Sequence, residues 1–395
     1  MTPLAVVDFT LATALGAGRA ATLDALRAGR SALARERFET AALDTWLGIV
    51  AGIDAQRLPA ALARHDCRNN RLAWLGLQAD GFLDAVVRAR EHYGAHRVGV
   101  FLGTSTSGIL QTELAYRRRD AASGALPADF HYAETHNTFS CADFVRRALA
   151  LEGPAFVVST ACSSGAKVFA NAHRLIDAGV IDAALVGGID SLCLTTLYGF
   201  NALELLSPEI CRPWDAMRRG LSIGEAAAYA LLERDPREAP RAWLLGCGES
   251  SDGHHMSSPH PEGAGAALAM RAALADAGLD ASDIDYLNLH GTATPGNDAV
   301  EDIAVCEVFG TALPCSSTKG ATGHTLGAAG AVEAAIAMLA LEAGLMPGGL
   351  NRTAPDATLR AAYLDAPRAA PLRRVASNAF GFGGSNACLV FGAAA

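Results

Sequence analysis

The sequence predicts an α/β protein, on three observations. Short apolar runs of strand character alternate with helical patterns along the whole chain, which argues for mixed layers rather than separate all-α and all-β parts. The 395 residues are 51% hydrophobic and only 18% charged, so a large core can be buried. Glycine fills 40 positions and aromatic residues only 6%, a composition suited to close helix–sheet approach. The glycines show no period of three, which excludes collagen.

The strand candidates, in order, are Arg97–Leu102, Ala155–Ser159, Ala183–Val186, Ala242–Cys247, Tyr286–Leu289 and Ala387–Phe391. The helix candidates are Ala20–Ala28, Asn70–Val87, Ala142–Ala150, Ser164–Ala178, Ala264–Ala277, Asp298–Phe309 and Ala328–Ala343. The first eighteen residues are apolar but lack a basic start and carry Asp8, unlike a secretory signal. The most apolar stretch, Gly327–Met346, includes Glu333 and Glu342, so it reads as a buried helix rather than a membrane span. The polar, proline-containing run Arg234–Arg241 is the weakest seam, dividing the chain into residues 1–238 and 239–395. Across it, Val157–Ile176 and Pro314–Leu339 both read strand, small-residue turn, helix. That echo fits a duplicated topology, although βα units resemble one another in any case.

A net charge of −9 disfavours nucleic acid as a partner. The nine cysteines include no CxxC pair, which argues against a disulfide framework or zinc knuckle and for free thiols in a reducing cytoplasm.

Three segments carry candidate chemistry. Val157-Val-Ser-Thr-Ala-Cys162-Ser-Ser-Gly165 puts a cysteine in a turn of small residues between a strand and a helix. A helix N-terminus there favours the thiolate, and nearby amides can hold an oxyanion. A buried, inert thiol is the plainer alternative. Leu287-Asn-Leu-His290-Gly-Thr-Ala-Thr-Pro295 ends a strand on a histidine, and the helix that follows opens with Asp298 and Glu301. In α/β proteins, sites gather at the carboxyl ends of strands. A satisfied core histidine and dipole-suited carboxylates are the structural alternative. Ser316-Ser-Thr-Lys319-Gly-Ala-Thr-Gly-His324 sets a lysine and a histidine five residues apart, without the GxxxxGK[ST] order of a phosphate loop. Ser377-Asn-Ala-Phe380-Gly-Phe382-Gly-Gly is a glycine-dense turn before the last strand. Gly253-His254-His255 lacks a third ligand at metal-binding spacing.

Taken together, these segments resemble the β-ketoacyl-acyl-carrier-protein synthases of the thiolase superfamily. The resemblance runs the length of the chain, through Thr10-Leu-Ala-Thr-Ala-Leu-Gly16, Thr160-Ala-Cys162-Ser-Ser, Cys211-Arg-Pro-Trp-Asp215 with Gly224-Glu225, His290-Gly-Thr-Ala-Thr-Pro295, Lys319-Gly-Ala-Thr-Gly-His324 and Gly381-Phe-Gly-Gly384. The two-histidine pattern resembles the elongating branch. Asp66-Cys-Arg-Asn-Asn-Arg71 and Thr104-Ser-Thr-Ser-Gly-Ile-Leu110 resemble ketosynthases of aryl-polyene pathways.

The resemblance implies a thiolase-like fold, two fused similar halves in five layers, α-β-α-β-α. It implies decarboxylative Claisen condensation of an acyl thioester with a malonyl-acyl carrier protein, without metal or cofactor, in a cytoplasmic homodimer or a heterodimer with a paralogue. Cys162 matches the acyl-accepting nucleophile, and His290 and His324 match the pair that binds the extender and promotes loss of carbon dioxide. Lys319 matches their support, and Asp298 and Glu301 match the acidic network. Phe382 matches the gate whose amide joins that of Cys162 in the oxyanion hole, with Phe380 its neighbour. Thr106 and Ser107 fall where the acyl pocket is lined, and Arg68 and Arg71 fall where an acidic carrier docks. The chemistry agrees: two neutral imidazole N–H donors can hold an enolate oxygen that becomes charged only during reaction. A non-decarboxylating thiolase-type acyltransferase and a non-catalytic partner subunit are the competing readings.

Overall fold

The computed structural model describes residues 1–394. Eleven strands form one path: β1 (Leu4–Thr13), β2 (Val98–Gly103), β3 (Ala155–Val158), β4 (Ala183–Asp190), β5 (Ala226–Glu233), β6 (Ala242–Ser251), β7 (Tyr286–Asn288), β8 (Pro314–Ser316), β9 (Ala362–Tyr363), β10 (Arg374–Gly381) and β11 (Ser385–Ala393). Their spatial order is β9-β8-β7-β10-β11-β6-β1-β5-β4-β2-β3. The halves meet where β1 pairs antiparallel with β6, Ala5 opposite Trp243. Outward from that seam, each half places its first strand, then its last, then three parallel strands. Leaving aside the two-residue β9, both halves follow the order 1-5-4-2-3. The echo between Cys162 and Lys319–His324 is therefore a repeat of topology.

The helices are α1 (Arg19–Arg27), α2 (Arg68–Leu77), α3 (Phe82–Tyr93), α4 (Ile109–Arg117), α5 (Ser140–Ala148), α6 (Ser164–Asp177), α7 (Leu194–Ala202), α8 (Ala264–Ala277), α9 (Pro295–Phe309) and α10 (Ala329–Ala343), with a single turn at Lys319–Thr322. The helix expected over Asn70–Val87 is two. Asp80 and Gly81 adopt positive φ (58° and 72°), and the Asp80 carboxylate accepts from Thr10 Oγ1 at 2.8 Å and from the Arg19 amide. Those long-range bonds to β1 and the start of α1 hold the turn that ends α2 and leads the chain into α3.

Five layers follow from which residues share a core. α6 and α10 lie at the centre with Ala226, Ala228, Ala230 and Leu232 of β5 on one side and Val375, Leu389 and Phe391 on the other. The opposite face of β5, Ala227, Tyr229 and Leu231, packs beneath α2, α3 and α5. The outer face of the second half packs beneath α8 and α9. Strands buried on both faces lose polar alternation. For that reason β5, Ala-Ala-Ala-Tyr-Ala-Leu-Leu-Glu, carries no strand signal in the sequence. The first strand, β1, is missed for the same cause. α10 with its preceding turn, Leu326–Ala343, is long and apolar enough to cross a membrane, but 89% of it is buried inside the protein as the central helix.

Candidate active site

Cys162 stands in the short turn Ala161–Ser163 between β3 and α6. Ala161 before it is held at φ 52°, a conformation costly for a residue with a Cβ and sustained only by its surroundings. Ser164 Oγ accepts from the Thr160 amide at 2.9 Å and donates to the Ala161 carbonyl at 2.6 Å, which fixes the turn. The thiol faces a cavity of about 350 Å³ that also exposes His290, His324, Phe380 and Phe382.

His290 lies just beyond the carboxyl end of β7. Its amide and that of Gly291 donate to the two oxygens of Glu301, at 2.8 and 2.7 Å. Asp298, one turn earlier on α9, accepts from the amides of Ala293 and Trp214 at 3.1 and 3.0 Å. Both carboxylates are buried. They hold the His290–Thr294 loop by its backbone rather than touching the imidazole. Burial pushes Glu301 up to about 7, against the two amides that favour its charge.

His324 is pinned differently. Its amide donates to Ser222 at 2.8 Å, and its carbonyl accepts from Gly224 at 3.0 Å. A Cβ on Gly323 would lie 2.9 Å from the Gly224 nitrogen, so glycine is required for this approach. The Leu326 amide donates to His324 Nδ1 at 3.2 Å. Lys319 Nζ reaches His290 Nδ1 at 3.3 Å and also donates to the His290 carbonyl and to Glu333. With Nδ1 accepting on both rings, Nε2 carries the proton on both. The rings meet edge to face, centroids 5.3 Å apart. Burial, then the Lys319 ammonium, holds both imidazoles well below their usual range, so both are neutral.

Ligand atoms of Cys162, His290 and His324 lie within 4.8 Å of one another. A soft metal could use such a donor set, but the adjacent ammonium opposes a second cation. The thiol departs from expectation: burial pushes it up to about 12, and the Lys319 charge and the Phe382 amide pull it down only in part. Desolvation is the largest influence on the thiol and favours its neutral form. Phe382 caps the cavity from the turn between β10 and β11, stacking on Phe200 at 5.7 Å. Phe380 stands 5.8 Å from His290.

Two family models match, the β-ketoacyl synthase N-terminal domain over residues 1–238 and its C-terminal domain over 241–353. The chain belongs to the β-ketoacyl synthase family. It is 32% identical to 3-oxoacyl-[acyl-carrier-protein] synthase 2 of Vibrio cholerae over 393 residues, 93% of each chain. It is 37% identical to nodulation protein E of Rhizobium meliloti over 307 residues, 75% of this chain and 76% of that one. One chain of the solved complex of the ketosynthase ApeO with its chain length factor ApeC, from Xenorhabdus doucetiae, superposes with a TM-score of 0.89 at 38% identity over 99% of this chain and 98% of that one. The thiolase-like fold is therefore shown, as is membership of a family of acyltransferases.

The structure brings Cys162, His290, His324, Phe380 and Phe382 to one cavity, with Lys319, Asp298 and Glu301 buried behind it. Four expected residues lie elsewhere. Thr106 Oγ1 donates to Asp190 at 2.7 Å, and Ser107 Oγ bonds Thr135, Asn137 and Ser140; neither lines the cavity. Arg68 departs from a free docking cation: its guanidinium is mostly enclosed, bonding the buried Glu225, whose charge it neutralises inside the fold, at 2.8 Å from Nε, and Asp54 at 3.0 Å. Arg71 is partly exposed but paired with Asp66 at 2.6 Å. Sequence reasoning missed Glu333 as the partner of Lys319. A carboxylate in the first half of an otherwise apolar helix, fourteen residues after the lysine, was the signal.

Proposed function

We propose that this chain is the catalytic protomer of a decarboxylating ketosynthase. An acyl group passes from a carrier thioester to Cys162 with release of the carrier thiol. A malonyl-carrier then enters, and its thioester oxygen is held by the N–H groups of His290 and His324. Loss of carbon dioxide leaves an enolate, which attacks the acyl-Cys162 carbonyl. The amides of Cys162 and Phe382 hold the resulting oxyanion, and collapse expels the Cys162 thiolate and yields the β-ketoacyl-carrier. The observation that carries this reading is the convergence of one thiol and two neutral imidazoles within 4.8 Å.

Residues 1–238 and 239–395 act as the two fused halves, one bringing the nucleophile and the other the histidines. The free edge of β3, paired only with β2, supports a dimer through sheet continuation. The intact Cys162 argues against a non-catalytic subunit, and His324 in place of a second cysteine argues against a thiolase. The partner is an acidic acyl carrier and the compartment the cytoplasm, which all nine cysteines being free accommodates. The extended likeness around residues 66–71 and 104–110 supports an aryl-polyene or related polyketide substrate over an ordinary fatty acid.

The test is to incubate pure protein with acyl and malonyl carriers, follow carbon dioxide release, and seek acyl-Cys162 by mass spectrometry. Release of carbon dioxide with acylation lost in Cys162→Ala is expected. Neither signal in the wild type would overturn the reading.

A further inference from the structure

We infer that Asp190 is a positioning residue for His324, fixing its tautomer from the other half of the molecule. Asp190 ends the central strand β4 and is fully buried. Its Oδ1 accepts from Thr104 Oγ1 at 2.8 Å, from Thr106 Oγ1 at 2.7 Å, and from the amides of Ser105 and Thr106 at 2.8 and 2.7 Å. Its Oδ2 accepts from the Ala328 amide at 3.1 Å, in the turn that leads from His324 into α10. One carboxylate thus joins the loop after β2 to the start of the central helix, where a negative charge also suits the helix N-terminus.

That turn is strained. Leu326 has φ 55°, and its amide is the donor to His324 Nδ1. A non-glycine residue keeps such a conformation only where its surroundings enforce it. The tight fit is evident at Gly327, where a Cβ would lie 2.8 Å from Asp190 Oδ2 and from the Ser105 amide. The linkage therefore runs from Asp190 through Ala328 and the Leu326 amide to His324 Nδ1, leaving the proton on Nε2.

The inference rests on the ketosynthase reading for its catalytic readout but not for its spectroscopic one. Asp190→Asn keeps an oxygen for the four donors of the 104–106 loop and turns an NH₂ toward the Ala328 amide, donor against donor. Ala328→Pro deletes the same amide, together with its second bond to the Thr325 carbonyl, at the N-cap of α10, where φ of −74° lies in proline's range. In each folded variant, ¹⁵N spectra of the His324 ring should show loss of the single Nε2–H tautomer. The kcat for carbon dioxide release should fall about ten- to a hundredfold with KM for the malonyl carrier nearly unchanged, as for a misplaced catalytic group. Unchanged His324 signals in either folded variant overturn the inference, as does a shifted tautomer with unchanged kcat. A wild type that releases no carbon dioxide would instead sink the ketosynthase reading and leave the tautomer measurement standing.

Discussion

Gly165 and Gly330 face one another where the two central helices cross. A Cβ on Gly165 would lie 2.8 Å from the Ala331 nitrogen, and one on Gly330 would lie 2.6 Å from the Ala166 nitrogen. Their closeness is what brings the two halves' active loops together. Cys162 stands three residues before Gly165 and His324 six before Gly330, so the crossing sets the distance between nucleophile and histidine.

Gly330→Ala should therefore lower both stability and activity. Alanine gains about 1 kcal/mol of helix propensity over glycine. Pressing a methyl group into backbone costs about 1–3 kcal/mol or more, and the clash wins because neither helix backbone can step aside. Denaturant unfolding should show a lower midpoint. A neutral or stabilised variant would mean the crossing has room.

The Lys319–Glu333 pair should be separable by a double-mutant cycle. Both side chains are almost fully buried. Glu333→Leu alone strands an ammonium and should cost about 3–5 kcal/mol. Adding Lys319→Met should restore most of that stability. It should not restore condensation, because His290 Nδ1 has then lost its donor.

The thiol's titration gives a pH test. With Cys162 pushed up to about 12, the thiolate fraction grows as pH rises toward that value. Alkylation by iodoacetamide should accelerate by about tenfold per pH unit with no plateau below roughly pH 9. Lys319→Met removes a charge that favours the thiolate, so alkylation should slow at every pH. A plateau near neutrality would show a thiolate already formed at rest.

The two histidines should stay neutral where a free histidine titrates. Burial and the Lys319 ammonium both disfavour their charged forms. Ring ¹⁵N shifts of His290 and His324 should hold constant from about pH 8 down to about pH 6. A titration midpoint inside that window would remove the neutral-donor mechanism.

Arg68→Ala should behave as a core lesion. The variant leaves Glu225 buried without its guanidinium and should lose about 3–5 kcal/mol of stability. A change confined to KM for the carrier, at unchanged stability, would return Arg68 to the docking surface.

The sequence by itself determined a good deal. Local pattern located α6, α8, α9 and α10 to within a few residues, because their length, small residues and flanking turns are local properties. Motif order named Cys162, His290, His324 and Lys319, because their chemistry needs those residue types in turns at strand ends. Tertiary structure decided the rest. β1 and β5 are strands because both their faces are buried, which no local alternation records. Glu333 pairs with Lys319 across fourteen residues, and Arg68 meets Glu225 across 157, so their charges are spent on partners the sequence does not point to. The balance at the thiol is decided in the same way. A helix N-terminus is visible in a sequence, whereas the desolvation that pushes Cys162 up exists only once two half-sheets have closed around a shared pair of helices.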